Sequence, residues 1–214
     1  ALLIRKKDYD LALAHVAQLD RLADAPLLEE KALQRRVEVA TSSGRVDEEI
    51  DRLRRLRAEG RASVKDLWAT ALLLAHRMRY VEAADCLSLA LRSAPDDVRL
   101  IKAHASMLER SGKLAVAVQL YRRLVELEPK NAATHFERIA QLELDRGNAA
   151  AAKAAADSFV RLAPANLDGH RLRADVAFKL GEIDDGLNSL RHAVRIAPRD
   201  QEIRRYLAKA LADN

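Results

Sequence analysis

Apolar residues recur at every third or fourth position along almost the whole chain, in stretches of about 14 residues separated by short polar breaks. That period is the signature of amphipathic helices with one buried stripe. The breaks are themselves periodic. Pro95, Pro129, Pro164 and Pro198 lie 34, 35 and 34 residues apart, and Gly112, Gly147 and Gly181 keep the same register. Steps of 34 extend the glycine lattice backward through Met78 to Gly44. Two kinds of punctuation held in phase mean a repeated unit. The units run over 30–63, 64–97, 98–132, 133–166 and 167–200, with one extra residue near Asn131 and Ala132. Each holds two amphipathic segments around a short turn, which predicts a helical hairpin.

Positions within the unit have distinct characters. The eighth is Val37, Ala71, Ala105, Ala140 and Ala174, and the twentieth is Glu49, Ala83, Ala117, Ala152 and Gly186. Outside the unit 30–63, which lacks them, small side chains at these two places predict close approach of the paired helices. Larger apolar residues occupy the fourth position (Leu33, Leu67, Ile101, Phe136) and the twenty-fourth (Leu53, Leu87, Tyr121, Leu190). The glycine suits a left-handed residue after the first helix, and the proline ends the second because it has no N–H to donate. A hairpin cannot bury its own apolar face, so the units are expected to stack on one another.

Outside the regular units, residues 1–29 read as a partial repeat, with a turn and second helix from Lys7 to Ala14. Residues 201–214 read as a lone first helix with Leu207, Ala208 and Leu211 inward. The start Ala1–Lys7 is too short for a signal peptide and reads as the tail of a helix. The chain is therefore expected to be a piece of a longer protein, with any targeting signal outside it and the compartment open.

Together the small pair, the apolar fourth and twenty-fourth positions, the glycine and the proline resemble the tetratricopeptide repeat family. Segments such as 112–117 and 128–132 match its turn and boundary. Trp68 stands one place later than the family's frequent tryptophan, Glu143 stands where a large apolar residue is usual, and the unit 30–63 has no proline. The resemblance implies an all-α, right-handed α-solenoid of stacked antiparallel helix pairs spanning 1–214. It also implies a concave groove lined by the first helices, taking an extended peptide or a partner's helix. Carried onto this chain, the groove positions bring together Lys65, Trp68, Arg99 and Lys102 on two neighbouring units. Arg171, Arg205 and Tyr206 form a second group toward the C-terminus. Cations beside an aromatic anchor point to an acidic or carboxylate-bearing protein or peptide. The paired-asparagine carboxylate clamp of chaperone co-factors is not expected, since Asn131, Asn148, Asn166 and Asn188 lie off the inner face of the first helices.

Composition narrows the function further. Ten lysines against 27 arginines, with abundant alanine, fit a GC-rich bacterial genome. The net charge of +5 is mild for 214 residues, and the arginine-rich run 52–57 lacks aromatic partners, so no nucleic acid is expected. No apolar run reaches the length of a membrane span. Glycine-rich phosphate loops, His-Glu-x-x-His, Cys-x-x-Cys and nucleophile-elbow motifs are all missing. The six histidines are unpaired at helical spacing, and the single cysteine, Cys86, reads as a packing residue. No enzymatic activity, cofactor or metal is expected. In the run 52–57, Leu53 and Leu56 point inward, with Glu48–Arg52 and Asp51–Arg55 as ion pairs on the outer face. The leading expectation is a protein–protein interaction scaffold, with exopolysaccharide secretion or cell-envelope assembly as its bacterial setting. A substrate-positioning region of a larger enzyme, such as a glycosyltransferase, and a self-assembling scaffold joined through its terminal helices remain the alternatives.

Overall fold

The computed structural model describes residues 26–213 and, upstream of them, the helical residues Leu11, Ala14, His15 and Gln18. The turn and helix expected over 7–14 otherwise lie outside the described residues. Every regular element described is helical. The chain divides into two compact units, Ala1–Ser111 and Gly112–Asn214.

The first unit contains α1 (Pro26–Ser42), α2 (Val46–Ala58), α3 (Val64–His76), α4 (Tyr80–Ser93) and α5 (Val98–Arg110). Successive helices pack on one another, and α1 also touches α3. Leu53, Leu73, Leu74, Leu87, Leu100 and Ile101 are almost fully buried in its interior. The second unit contains α6 (Leu114–Leu127), a 3-10 turn (Pro129–Asn131), α7 (Ala132–Asp145), α8 (Ala149–Leu162), α9 (Leu167–Lys179), α10 (Ile183–Ile196) and α11 (Gln201–Asp213). The same neighbour-on-neighbour packing recurs there, with α7 also meeting α9. Both units are therefore stacks of antiparallel helix pairs, the layout of an α-solenoid.

Local chemistry explains the element ends. Gly44, Gly112, Gly147 and Gly181 adopt φ between 74° and 77°, and Met78 takes φ 57° in the equivalent place. At each of the turns after α1 and α3 the following amide reaches back to close the helix: Arg45 N to Ala40 O at 2.9 Å, Arg79 N to Leu74 O at 2.9 Å. These are the paired bonds of a helix C-terminus that satisfy its last carbonyls. Asn166, which falls between pairs, caps α9 by accepting from Gly169 N at 3.0 Å. Asp97 caps α5, and Ser63 with Asp66 forms a reciprocal capping box on α3.

Alanines at the small positions are closed off: Ala71, Ala83, Ala140, Ala152 and Ala174 are at most 1% exposed. At the twentieth position of 167–200, a Cβ on Gly186 would sit 2.3 Å from Phe178 Cε1, so a larger residue there would require that ring to move. Glu49 breaks the pattern of small residues and is nonetheless 1% exposed. Arg36 Nε bonds it at 3.0 Å and Arg52 Nη2 at 2.7 Å. Arg36 also donates to Asp66 Oδ1 at 2.9 Å, so one buried guanidinium joins α1, α2 and α3. Glu143, in the position usually apolar, is held likewise by Arg146 at 2.6 Å.

Three expectations change. On α11 the buried residues are Ile203 and Ala210, Leu207 is half-buried, and Ala208 and Leu211 are exposed. Its stripe is set by α10, the helix it packs on, which covers the 203–207–210 face. On α2, Asp51 pairs with Arg54 at 3.6 Å rather than with Arg55, and Arg54 reaches across to Glu82 at 2.9 Å. Leu53 is buried as expected, but Leu56 only partly so. Finally, α1 begins at Pro26 and not at residue 30, as a proline's missing N–H is harmless in a first helical turn.

Candidate partner-binding groove

In the first unit, α1, α3 and α5 line a concave space of about 540 Å³. Its floor is apolar, built from Val37, Leu72, Ala75 and Met107, and its rim carries Gln34, Glu38, Thr41, His76, Ser106 and Arg110. Helical spacing explains the set: Val37 and Thr41 on α1, Leu72 and His76 on α3, and Ser106 and Arg110 on α5 are each four residues apart on one face. Glu38 is already engaged, pairing with Arg35 at 2.8 Å.

The four sequence-predicted residues stand one to two turns nearer the helix starts. Trp68 on α3 and Arg99 on α5 meet, with the guanidinium 5.6 Å from the ring centroid, close enough for a cation–π contact of about 0.5–1 kcal/mol. The Trp68 indole N–H is buried and finds no hydrogen-bond partner. Lys65 is half-buried and Lys102 exposed. Arg99 also pairs with Asp97 at 2.8 Å. Burial pushes the Asp97 carboxyl up, but the Arg99 hydrogen bond and charge outweigh that and hold it below its ordinary value. This first group is thus less positive than its cations alone imply, because Asp97, one residue before α5, supplies a counter-charge.

In the second unit, Arg171 lies 3.8 Å from Asp168 and 4.0 Å from Glu202. The Tyr206 hydroxyl donates to Asp175, tying α11 to α9. Burial first, and then that hydrogen bond, push the phenol well above its usual range, while nearby Arg171 acts in the opposite direction. Arg205 is exposed on α11. The structure brings Arg171 and Tyr206 together and leaves Arg205 outside that pair. Leu72, Met107, His76 and Arg110 were not singled out from sequence, although all but Met107 fall on the groove positions of the repeat.

Three of the other residues weighed for chemistry, Cys86, His135 and His170, are buried. Cys86 is 5% exposed and burial pushes its thiol up. Buried His135 contacts Glu128 at 3.0 Å. His170 Nε2 donates to the Pro164 carbonyl at 2.9 Å, and its ring stacks on His192 at 5.5 Å. Among the described residues no three metal-ligating side chains converge, and no helix is long and apolar enough to cross a membrane.

No protein-family model matches the sequence. Cellulose synthase 2 operon protein C of Komagataeibacter xylinus is 31% identical over 157 residues, 72% of this chain. The chain spans only 12% of that relative's length. Among solved structures, MamA of AMB-1 superposes with a TM-score of 0.62 at 16% identity, covering 92% of this chain and 94% of that one. MamA from Desulfovibrio magneticus RS-1 gives 0.58 at 18% identity, covering 70% and 84%. YrrB, described as a TPR protein with an unusual peptide-binding site, gives 0.57 at 16% identity, covering 95% and 89%. In its fold, the chain is a tetratricopeptide-repeat array of stacked helix pairs.

Proposed function

We propose that the chain is a non-catalytic scaffold that holds a partner protein or peptide in the groove of α1, α3 and α5. The observation that carries this reading is the groove itself: an apolar floor of Val37, Leu72, Ala75 and Met107 open to solvent between polar rims. Concave, largely preformed surfaces with a few convergent polar groups are where ligands bind. Lys65, Trp68, Arg99 and Lys102 extend the contact surface at the starts of the same helices, and Arg171, Arg205 and Tyr206 offer a second surface on the other unit. The biological setting we favour is export or assembly of a bacterial exopolysaccharide. The likeness to a cellulose synthase operon protein supports that setting. The test is affinity capture from a bacterial lysate with wild type and with Trp68→Ala/Lys102→Glu. Partners retained by wild type and lost by the double variant are expected. Identical capture by both removes this end of the groove from the binding surface.

A further inference from the structure

A cluster of cations on the second unit has no acid of its own. Asn188, Arg191, His192 and Arg195 fall three or four residues apart on one face of α10. With Val194, and with Leu207 of α11, they line a concavity of about 650 Å³ that contains no carboxylate. Elsewhere a cation on one second helix meets acids on the next. Arg54 of α2 pairs with Glu82 of α4, and Lys153 of α8 pairs with Glu182 and Asp185 at the start of α10. Among the described residues Arg191 donates to Asn188 at 3.0 Å, and neither it nor Arg195 has a carboxylate partner.

His192 is the titratable member of the cluster. Its ring lies parallel to that of His170, with the centroids 5.5 Å apart and 3° between the planes. His170 is buried, its Nε2–H is taken by the Pro164 carbonyl, and its Nδ1 is shielded with no partner. A proton on that Nδ1 would find no acceptor, so the pair gains charge at exposed His192 instead. Around His192 stand Arg191 and Arg195 on its own helix, His170 and Arg173 on α9, and the uncharged Leu207 on α11. Arg173 in turn lies 4.0 Å from Asp157 of α8. Arg195 first, then desolvation, then His170 and Arg173 hold the His192 imidazole below its ordinary 6.5.

We propose that this face of α10 binds a tetrahedral oxyanion, a sulfate or a phosphate ester, and that His192 takes up a proton as the anion binds. Two guanidinium groups one turn apart, with an imidazole beside them, supply donors from several directions, and a tetrahedral anion presents acceptors to all of them. A carboxylate has two oxygens in one plane. Half-buried Val194 and Leu207 border the rest of the concavity, where the alcohol part of an ester fits. Linkage sets the sign of the pH dependence. The bound anion offsets the positive surplus that keeps His192 neutral, so binding tightens as pH falls through the imidazole range. An anion that raises the imidazole by about one unit binds about ten-fold more tightly below that range than above it. The site uses no residue of the groove of α1, α3 and α5.

Sulfate is the first probe, because it stays a dianion across this range and its pH dependence reports the protein alone. Isothermal titration of the 214-residue chain is run at constant ionic strength, set with chloride, so that screening is fixed. Sulfate should bind about ten-fold more tightly at about pH 5.5 than at about pH 8. Buffers of different ionisation enthalpy should reveal proton uptake between these limits. His192→Gln should bind sulfate without pH dependence, and Arg195→Gln should bind it about ten-fold more weakly throughout, as befits loss of a charge-assisted hydrogen bond. Both side chains are exposed, and unchanged circular dichroism melts confirm that the variants are folded; should Arg195→Gln melt early, His192→Gln carries the test. Acetate at the same ionic strength should bind more weakly than sulfate. Two sources of the ester are then compared: glycerol phosphate, and phosphatidylcholine vesicles containing phosphatidic acid. Vesicle capture lost in Arg195→Gln assigns a lipid headgroup, and binding of the free ester without vesicle capture assigns a soluble one. The proposal is overturned if sulfate does not bind, if acetate binds as tightly, if wild-type affinity is the same at both pH values, or if either variant behaves as wild type.

Discussion

Replacing Arg36 with alanine isolates the device by which the first helix pair accommodates a charged residue where its counterparts have alanine or glycine. Arg36 is 7% exposed and Glu49 1%, and Arg36 spans Glu49 at 3.0 Å and Asp66 at 2.9 Å. Removing one partner of a buried pair costs about 3–5 kcal/mol, because the other charge is left desolvated. Glu49 retains Arg52, whose own side chain is 42% exposed, so the lower end, about 3 kcal/mol, is expected. The double variant Arg36→Leu/Glu49→Ala removes both charges and restores the small residue of the other pairs. It should be clearly less destabilised than Arg36→Ala, since apolar replacement of a buried pair is often neutral and Asp66, which also loses Arg36, keeps its bonds to Ser63. Stacked repeats need not unfold in one step. The assay is therefore hydrogen exchange of α1–α3 amides under mild denaturant, with α7–α9 as an internal control. Equal loss in the single and double variants, or a loss below about 1 kcal/mol in Arg36→Ala, would refute the reasoning. Acid gives a second view of the same network. Burial raises the Asp66 carboxyl, but its bonds to Ser63 and Arg36 outweigh this and hold it below its ordinary 3.8. The stabilisation it contributes is thus present above that value and lost as pH falls through the lower folded value. Arg36→Ala should show a smaller loss of α3 protection over that range.

Gly186→Ala sets two effects against each other: about 1 kcal/mol gained from helix propensity and about 1–3 kcal/mol lost from overpacking against Phe178. Net destabilisation is expected in thermal unfolding, with Phe178→Leu restoring stability; a simple gain in Gly186→Ala would contradict the close approach. Met78 is 77% exposed and holds φ 57°, a conformation that penalises a side chain by about 1–2 kcal/mol. Met78→Gly should therefore raise the melting temperature while Met78→Ala leaves it unchanged, and equal melts for both would argue against strain at that turn.

The turns were legible because their chemistry is local. A left-handed residue follows each first helix wherever the glycine lattice ran, including Met78, which chemistry alone would not have placed there. Small residues at the paired positions were legible because close packing admits few alternatives, and Gly186 against Phe178 is its tightest case. Long-range charge pairing was not legible. Arg36 finds Asp66 thirty residues away, and Tyr206 finds Asp175 thirty-one away; neither separation leaves a mark in composition or period. Asp97 caps α5, and its neutralising contact with Arg99 follows only from the side-chain path over the first turn of that helix. The face of α11 was misread because Ala208 and Leu211 are apolar, and apolarity does not by itself decide which neighbour a helix meets. The contact of Arg110 with Tyr80, 3.2 Å away on a different helix, escaped notice for a related reason.

The single tryptophan of the chain stands under a guanidinium, with its indole N–H shielded and unbonded. Such a fluorophore responds to small changes in its surroundings. A partner that displaced Arg99 from the ring, or offered the indole an acceptor, would alter emission from one known position. The protein thereby carries its own label at one end of the groove, and occupancy there can be followed by intrinsic fluorescence in the unmodified chain.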